Sequence, residues 1–207
     1  ALNRRSFDTI YGKVTEIARN NDDYLSAAAS VFGNAFFTVN MRPEDEAEVS
    51  RLAISYAREN ASMNPVSADS PPPYRSEGIR PAVLPILSGG RGAGFPNVVI
   101  DADGVRRRIA LVAQYEDVYF GQLAFAPLWK LLGEPAVTIG RDRIVLTGAG
   151  DPAELRTRDA SGLRSDGGAR DIEIPLTPDG HLLLHWPKGT FEETYRHLSF
   201  YYLVLHD

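Results

Sequence analysis

The sequence contains no cysteine among its 207 residues, which excludes a disulfide framework, a thiolate zinc site and a cysteine nucleophile. It also lacks an apolar run near the roughly 18 to 20 residues that a bilayer-spanning helix needs. No apolar segment follows the basic residues near the N-terminus, as a signal peptide would require. Acidic residues outnumber basic ones, 27 against 22, and this negative balance disfavours nucleic acid as a partner.

What is present has the composition of an ordinary globular domain, 43% hydrophobic and 24% charged. A chain of this length can bury one well-packed core. It begins at Ala1 without a methionine and ends on the letters YYLVLHD. We therefore expect a processed or excised piece of a longer protein.

Residues 1–60 alternate between helical and strand patterns. Apolar spacing predicts a helix over residues 7–17 and a second helix that Asp22 or Asp23 caps and Gly33 ends.

A strand is predicted over AFFTVNM, residues 35–41, because the segment is aromatic and β-branched. Pro43 then suits the first position of a third helix, whose apolar stripe runs from Val49 to Ala57.

Proline and glycine dominate residues 61–95 and predict a long irregular crossing with at most one short edge strand. Pro85 keeps VLPIL away from a central strand position. The letters GGRGAG, residues 89–94, predict a flexible stretch. A crossing of this length often forms a binding or interface loop. We expect it, with residues 101–108 beside it, to form the most mobile and accessible concave surface; the alternative is that it only covers the edge of the sheet.

The remaining residues, 96–207, are rich in strand patterns. We predict strands over 97–100, 106–114, 172–176 and 181–186, a helix over 120–132, a hairpin over 138–146 and a mobile loop over 147–170. The fold class is therefore α/β, a single domain with a mixed, partly antiparallel sheet and packed helices.

The stretch DADGVRRR, residues 101–108, suggests an ion-binding loop, a phosphate-binding loop or a turn. Counted from Asp101, a calcium loop fails at positions 5, 6 and 12, which hold Val105, Arg106 and Val112. A phosphate loop would end in Gly-Lys-Ser/Thr, and GGRGAG precedes a strand pattern instead of joining a strand to a helix. Three consecutive arginines could still clamp an anion.

The interpretation as a turn is favoured on physical grounds. Asp101 and Asp103 can accept backbone hydrogen bonds, and Gly104 can take a positive φ. DADG would then join two adjacent antiparallel strands, with the arginines paired to the aspartates across the hairpin.

The four histidines, His181, His185, His197 and His206, all fall in the last part of the chain. His181 and His185 would share a face on a helix and could hold a metal. In DGHLLLHWP a strand is favoured, and the two rings would then lie roughly 13 Å apart. We predict no metal site and no cofactor. A small soluble hydrolase or a metal-dependent enzyme is the alternative function of a different class.

The order of these motifs resembles the CHASE domain of type two, an extracytoplasmic sensory module of bacterial membrane signalling proteins. The family core G-x-x-N-x-x-x-D-x-D-G-x-x-R-R is matched by Gly94, Asn97, Asp101, Asp103, Gly104, Arg107 and Arg108. The later IPL…DG…L-x-x-W/Y segment is matched by Ile174, Pro175, Leu176, Asp179, Gly180, Leu182 to Leu184 and Trp186.

The resemblance implies a non-catalytic sensory fragment, extracellular or periplasmic, of a membrane-anchored parent protein. Its output domain would be a nucleotide cyclase, or alternatively a histidine or serine/threonine kinase. The signal would be a small molecule or a protein, and a homodimer is compatible with this role. From their charge we expect Arg91, Arg106, Arg107 and Arg108 to attract an anionic ligand.

Overall fold

The computed structural model describes residues 20–44, 49–63, 66–69, 72, 74–150, 170–186 and 189. The predicted helix over 7–17 and most of the predicted loop over 147–170 lie outside these residues, as do His197 and His206. The described residues contain four helices and twelve strands: α1 Asn21–Phe32, β1 Phe36–Arg42, α2 Arg51–Asn60, β2 Val66–Ala68, β3 Tyr74–Ser76, β4 Gly78–Pro81, α3 Leu84–Gly89, β5 Gly92–Gly94, β6 Arg108–Ile109, β7 Val112–Tyr115, β8 Val118–Gly121, α4 Phe125–Leu131, β9 Ala136–Ile139, β10 Arg143–Ala149, β11 Arg170–Pro175 and β12 Leu182–Leu183.

The caps of α1 and α2 differ from the predicted ones. Asn20 starts α1, because its side-chain oxygen accepts from the backbone N–H groups of Asp22 and Asp23, so those two residues are not the cap. Gly33 ends the helix at φ 74°, as predicted. α2 begins after Ser50, whose hydroxyl accepts from the third residue along, whereas Pro43 lies outside the helix. The helix begins there because the serine hydroxyl accepts a hydrogen bond from one of the free N–H groups of the first turn.

Four sheets carry the strands, in the orders β4-β1-β5, β11-β10-β9-β2, β12-β6 and β3-β7-β8. The pairs β1–β5, β2–β9 and β3–β7 are parallel and the others are antiparallel. Phe95 continues β5 by pairing with Gln122, just after β8. The first and last of these sheets therefore meet edge to edge, and the mixed α/β class is confirmed.

Residues 61–95 are more regular than predicted. They contain β2, β3, β4, α3 and β5, and Gly92 to Phe95 are fully buried. Pro85 occupies the first turn of α3, where a missing N–H group costs nothing. The prediction of an irregular crossing with at most one short edge strand is wrong, because three-residue strands in larger sheets leave too short a pattern to recognise.

Two further segments divide differently from their prediction. Residues 120–132 contain the end of β8 and, only from Phe125, the helix α4. Residues 106–114 contain two strands, β6 and β7, separated at Ala110 and Leu111. The predicted hairpin over 138–146 is confirmed, with Ile139 paired to Ile144.

Two hydrophobic cores share the strand β7. Ala113 and Tyr115 face one core together with Phe95 and Phe120. Val112 belongs to the other core, which α4 and the sheet around β9 and β10 complete. Successive residues of a strand point to opposite faces, so β7 is buried on both sides and holds the two cores in one unit.

Candidate functional site

The segment DADG forms a tight turn. Gly104 donates its N–H to the carbonyl of Asp101 at 2.8 Å, and Asp101 donates its own to Val105 at 3.1 Å. Gly104 has φ 81°, as predicted. The predicted hairpin is wrong, because residues 97–100 form no strand and β6 pairs with β12 instead.

Asn97 explains why the segment before the turn is not a strand. Its side-chain amide accepts from the N–H of Met41 at 3.0 Å and donates to the carbonyl of the same residue at 3.1 Å. The side chain therefore satisfies the backbone of β1 where a neighbouring strand would otherwise pair. Its NH2 group also lies 3.4 Å from the Tyr74 hydroxyl.

Two of the three arginines pair with the aspartates of the turn. Arg107 binds Asp103 at 2.8 Å and lies 3.6 Å from Asp101. Arg108 donates to Asp101 from both Nε and Nη2. The predicted pairing is confirmed, although it closes a single turn and not a hairpin.

A second turn, Thr177 to His181, lies against the first. Gly180, at φ 79°, donates its N–H to the Thr177 carbonyl at 2.8 Å. Asp179 accepts from the Thr177 hydroxyl at 2.6 Å and from Arg108 Nη1 at 2.6 Å. Arg108 therefore bridges carboxylates from two turns that are far apart in the chain.

Backbone and tryptophan contacts complete this arrangement. β6 and β12 pair through Ile109 and Leu182, and Leu184 donates its N–H to the Arg107 carbonyl at 2.7 Å. The indole of Trp186 donates to the Arg106 carbonyl at 2.9 Å. We call residues 101–109 and 177–186 the two-turn cluster.

The cluster holds two carboxylates in the ionised form. The hydrogen bond from Arg107 and the N–H of Val105 lower the pKa of Asp103 to about 2. The hydrogen bond from the Thr177 hydroxyl is the main cause that lowers the pKa of Asp179 to about 2, and the backbone N–H of Asp179 and the Arg108 side chain contribute less. The hydrogen bond to Asp103 raises the pKa of Arg107, and the hydrogen bonds to Asp101 and then Asp179 raise the pKa of Arg108. The cluster therefore remains charged at neutral pH.

His181 lies at the edge of the cluster. Its Nδ1 is buried and lies 3.2 Å from Asp179 Oδ2 without forming a hydrogen bond. His185 is exposed and lies after β12. This strand has two residues and is therefore shorter than the predicted strand over 181–186.

A groove of about 610 Å³ lies elsewhere, between α4 and the start of β1 and β5. Apolar residues form most of its lining, together with one amide and two cationic side chains. The lining residues are Asn34, Phe36, Arg91, Leu123, Pro127, Leu128, Lys130 and Leu131.

Arg91 belongs to this groove and not to the two-turn cluster. Its Nη1 donates to Asn34 Oδ1 at 2.5 Å, and its backbone N–H donates to the Ala35 carbonyl. The four arginines that were expected to act together are therefore divided between two places. Lys130, which the sequence analysis missed, supplies the second cation of the groove; it follows Trp129 in the helical pattern of α4 and carried no motif.

Pro175 of the IPL segment and two serines of residues 61–95 make structural contacts. Pro175 ends β11, opposite Arg143. The Ser76 hydroxyl binds the backbone of Arg42 and Gly78, whereas Ser67 contacts Thr138. Over the part of the chain that the structure describes, no three metal-ligating side chains form a group. Within the same residues no helix combines the length and the hydropathy of a bilayer-spanning segment.

Comparison with known families identifies the family of the chain. The family model described as the CHASE2 domain matches residues 7–206, which is nearly the whole chain. No curated protein and no solved structure gives a significant match.

Proposed function

The chain belongs to the CHASE2 domain family of extracytoplasmic sensory domains in signalling proteins, and from this we propose that it is the signal-input domain of a bacterial transmembrane protein whose output is a nucleotide cyclase. The match over residues 7–206 is the observation that carries the proposal. The two-turn cluster supports it, because it joins the two segments on which the family resemblance rests.

The output domain is tested on the full parent protein. Membranes that contain it should convert a nucleoside triphosphate into a cyclic nucleotide, and this activity should change when the input domain is deleted. A parent that instead transfers the γ-phosphate to a histidine, serine or threonine would replace the cyclase with the kinase alternative.

The location is tested separately. Reporter enzymes that are active only outside the cytoplasm, fused within the segment that corresponds to this chain, should be active. A reporter that is active only in the cytoplasm would contradict the proposed orientation. Homodimer formation stays a prediction, which light scattering of the purified chain would decide.

We also propose different roles for Arg91 and for the paired arginines Arg107 and Arg108. Arg107 and Arg108 are already paired with carboxylates of the cluster, so an anionic ligand there would have to displace Asp101, Asp103 or Asp179. Such a ligand would compete with these three carboxylates, which carry the same charge and are held beside the arginines by the chain itself. Ligand capture therefore suits Arg91 better than the cluster, because its described side-chain hydrogen bond goes to a neutral amide.

A further inference from the structure

We infer that the groove between α4 and the N-terminal ends of β1 and β5 binds a small amphipathic carboxylate. As an account of the signal, this inference rests on the proposed sensory function; as an account of binding, it rests on the lining of the groove alone. A volume of about 610 Å³ falls within the range of roughly 300 to 1,000 Å³ that is typical of small-molecule sites.

The apolar wall of the groove is the first argument. Phe36, Leu123, Leu128 and Leu131 all line it. Leu128 is 43% exposed and Leu131 is 44% exposed, one turn apart along α4. Two neighbouring exposed leucines form a patch that an apolar ligand chain can cover, with a gain in proportion to the area removed from water.

The two cations are the second argument. Within the described residues the Arg91 guanidinium donates only to the neutral Asn34 amide, so its charge is not matched there. Lys130 Nζ binds the exposed Glu134 carboxylate at 3.0 Å, which matches its charge and occupies one of its three donors. In the described part of the chain, Arg91 is therefore the cation whose charge is unmatched, and Lys130 contributes its two remaining donors. The lining includes no acidic residue. A carboxylate is the group that can accept charge-assisted hydrogen bonds from both side chains.

Gly92 brings the apolar and cationic parts together. A Cβ on this residue would lie 3.1 Å from the Phe36 ring and 3.6 Å from Lys130 Cε. The absence of a side chain lets the aromatic ring and the lysine stem approach the strand beside Arg91. The charged end of a ligand therefore belongs near Arg91 and Lys130, and its apolar tail belongs along the leucines of α4.

Octanoate is a suitable probe, and it should be compared with octanol and octylamine, which carry the same chain with a neutral and a cationic head. Calorimetry on the 207-residue chain should show one octanoate site, and octanol should bind about tenfold more weakly or worse, the usual effect of losing a charge-assisted hydrogen bond. Octylamine should not bind. Equal binding of octanol, or no binding of octanoate, would overturn the inference.

Variants locate the site. Arg91→Ala and Lys130→Ala should each weaken octanoate binding about tenfold, and Leu128→Glu should abolish it. The matched control is Arg106→Ala, an exposed arginine of the two-turn cluster, which should bind as the wild type does. Thermal melting shows that each variant is folded; Leu128→Glu changes a partly exposed residue, so it keeps the test decisive if an alanine variant unfolds. Unchanged binding in Leu128→Glu, or an equal loss in Arg106→Ala, would refute the groove.

These outcomes are separate from those that concern the proposed function. If octanoate does not bind, the inference of a ligand site in the groove is wrong, but the chain still belongs to the CHASE2 family. A parent protein that has this segment in the cytoplasm contradicts the sensory orientation and leaves the measured binding intact.

Discussion

Neighbouring backbone atoms leave no space for a side chain at Gly94. A Cβ at this position would lie 2.7 Å from Leu123 Cα and 2.9 Å from the Gly121 carbonyl oxygen. Both are backbone atoms that cannot rotate away. We expect Gly94→Ala to lower the free energy of unfolding by about 1–3 kcal/mol, as overpacking of a buried site does.

Chemical denaturation measures this loss, and Gly104→Ala is the comparison. A Cβ at Gly104 meets nothing within 4 Å, so only its positive φ opposes the change. That variant should lose about 1 kcal/mol. A Gly94 variant as stable as the wild type would show that β5 and β8 can separate without cost.

Asn97 takes the place of a neighbouring strand for Met41. Asn97→Ala would leave the N–H and carbonyl of a buried residue without their present partners. We expect a loss of about 1–3 kcal/mol in the free energy of unfolding. Val98→Ala, at the exposed next residue, is the control and should change stability little. The idea fails if both variants melt at the same temperature.

At the scale of elements, the two-turn cluster depends on one side chain more than on its neighbours. The Arg108 side chain contacts Asp101 and Asp179 and therefore joins two distant segments, whereas the described ion pairs of the Arg107 side chain go to the first turn alone. We expect Arg108→Ala to lower the melting temperature more than Arg107→Ala, with Arg106→Ala close to the wild type. A double-mutant cycle between Arg108→Ala and Asp179→Asn should show coupling, which additive losses would disprove.

The cluster should also respond to acid. Asp103 and Asp179 have pKa values of about 2 in the folded chain, below the ordinary 3.8. A lowered pKa in the folded state stabilises it fully above pH 3.8, and this stabilisation is lost as the pH falls towards about 2. Melting temperatures measured from neutral pH down to about pH 2 should therefore converge for the wild type and the double variant Asp103→Asn, Asp179→Asn. A constant difference across that range would contradict this linkage.

The cluster also shows how far sequence reasoning reaches. The turn at Gly104 and the pairing of arginines with aspartates followed from local chemistry, because residues within a turn determine each other. The contact of Arg108 with Asp179 did not, because no local pattern states which turn lies beside which. The strands of residues 61–95 were missed for the same reason. β5 is a strand because it pairs with β1 and because Phe95, which continues it, pairs with Gln122; its letters GAG favour no strand.

The groove was predicted least well. Arg91 was selected for its charge, but it was grouped with the arginines of the cluster. The other cation of the groove, Lys130, lies on α4, which packs beside β5 although the two elements are far apart in the sequence. Side chains from distant elements are brought together there by tertiary packing, and such contacts cannot be predicted from composition alone.

At the scale of the whole molecule, β7 determines whether the two cores unfold together. Val112 faces the core that contains Trp129, and Ala113 faces the other. Loss of β7 removes a wall from each core, so neither should persist alone. We expect a single unfolding transition that all probes report together, the usual behaviour of a cooperative domain.

Tryptophan fluorescence tests this cooperativity in the variant Trp186→Phe, which leaves the buried Trp129 as the only indole. Its emission reports one core, and far-ultraviolet circular dichroism reports both. Val112→Ala removes two buried methyl groups and should lower the free energy of unfolding by about 2 kcal/mol, from lost transfer energy and the cavity left behind. Because β7 belongs to both cores, the two signals should shift by the same amount. If fluorescence moves to lower denaturant while the dichroism keeps a second, unshifted transition, the cores unfold independently and β7 does not unite them.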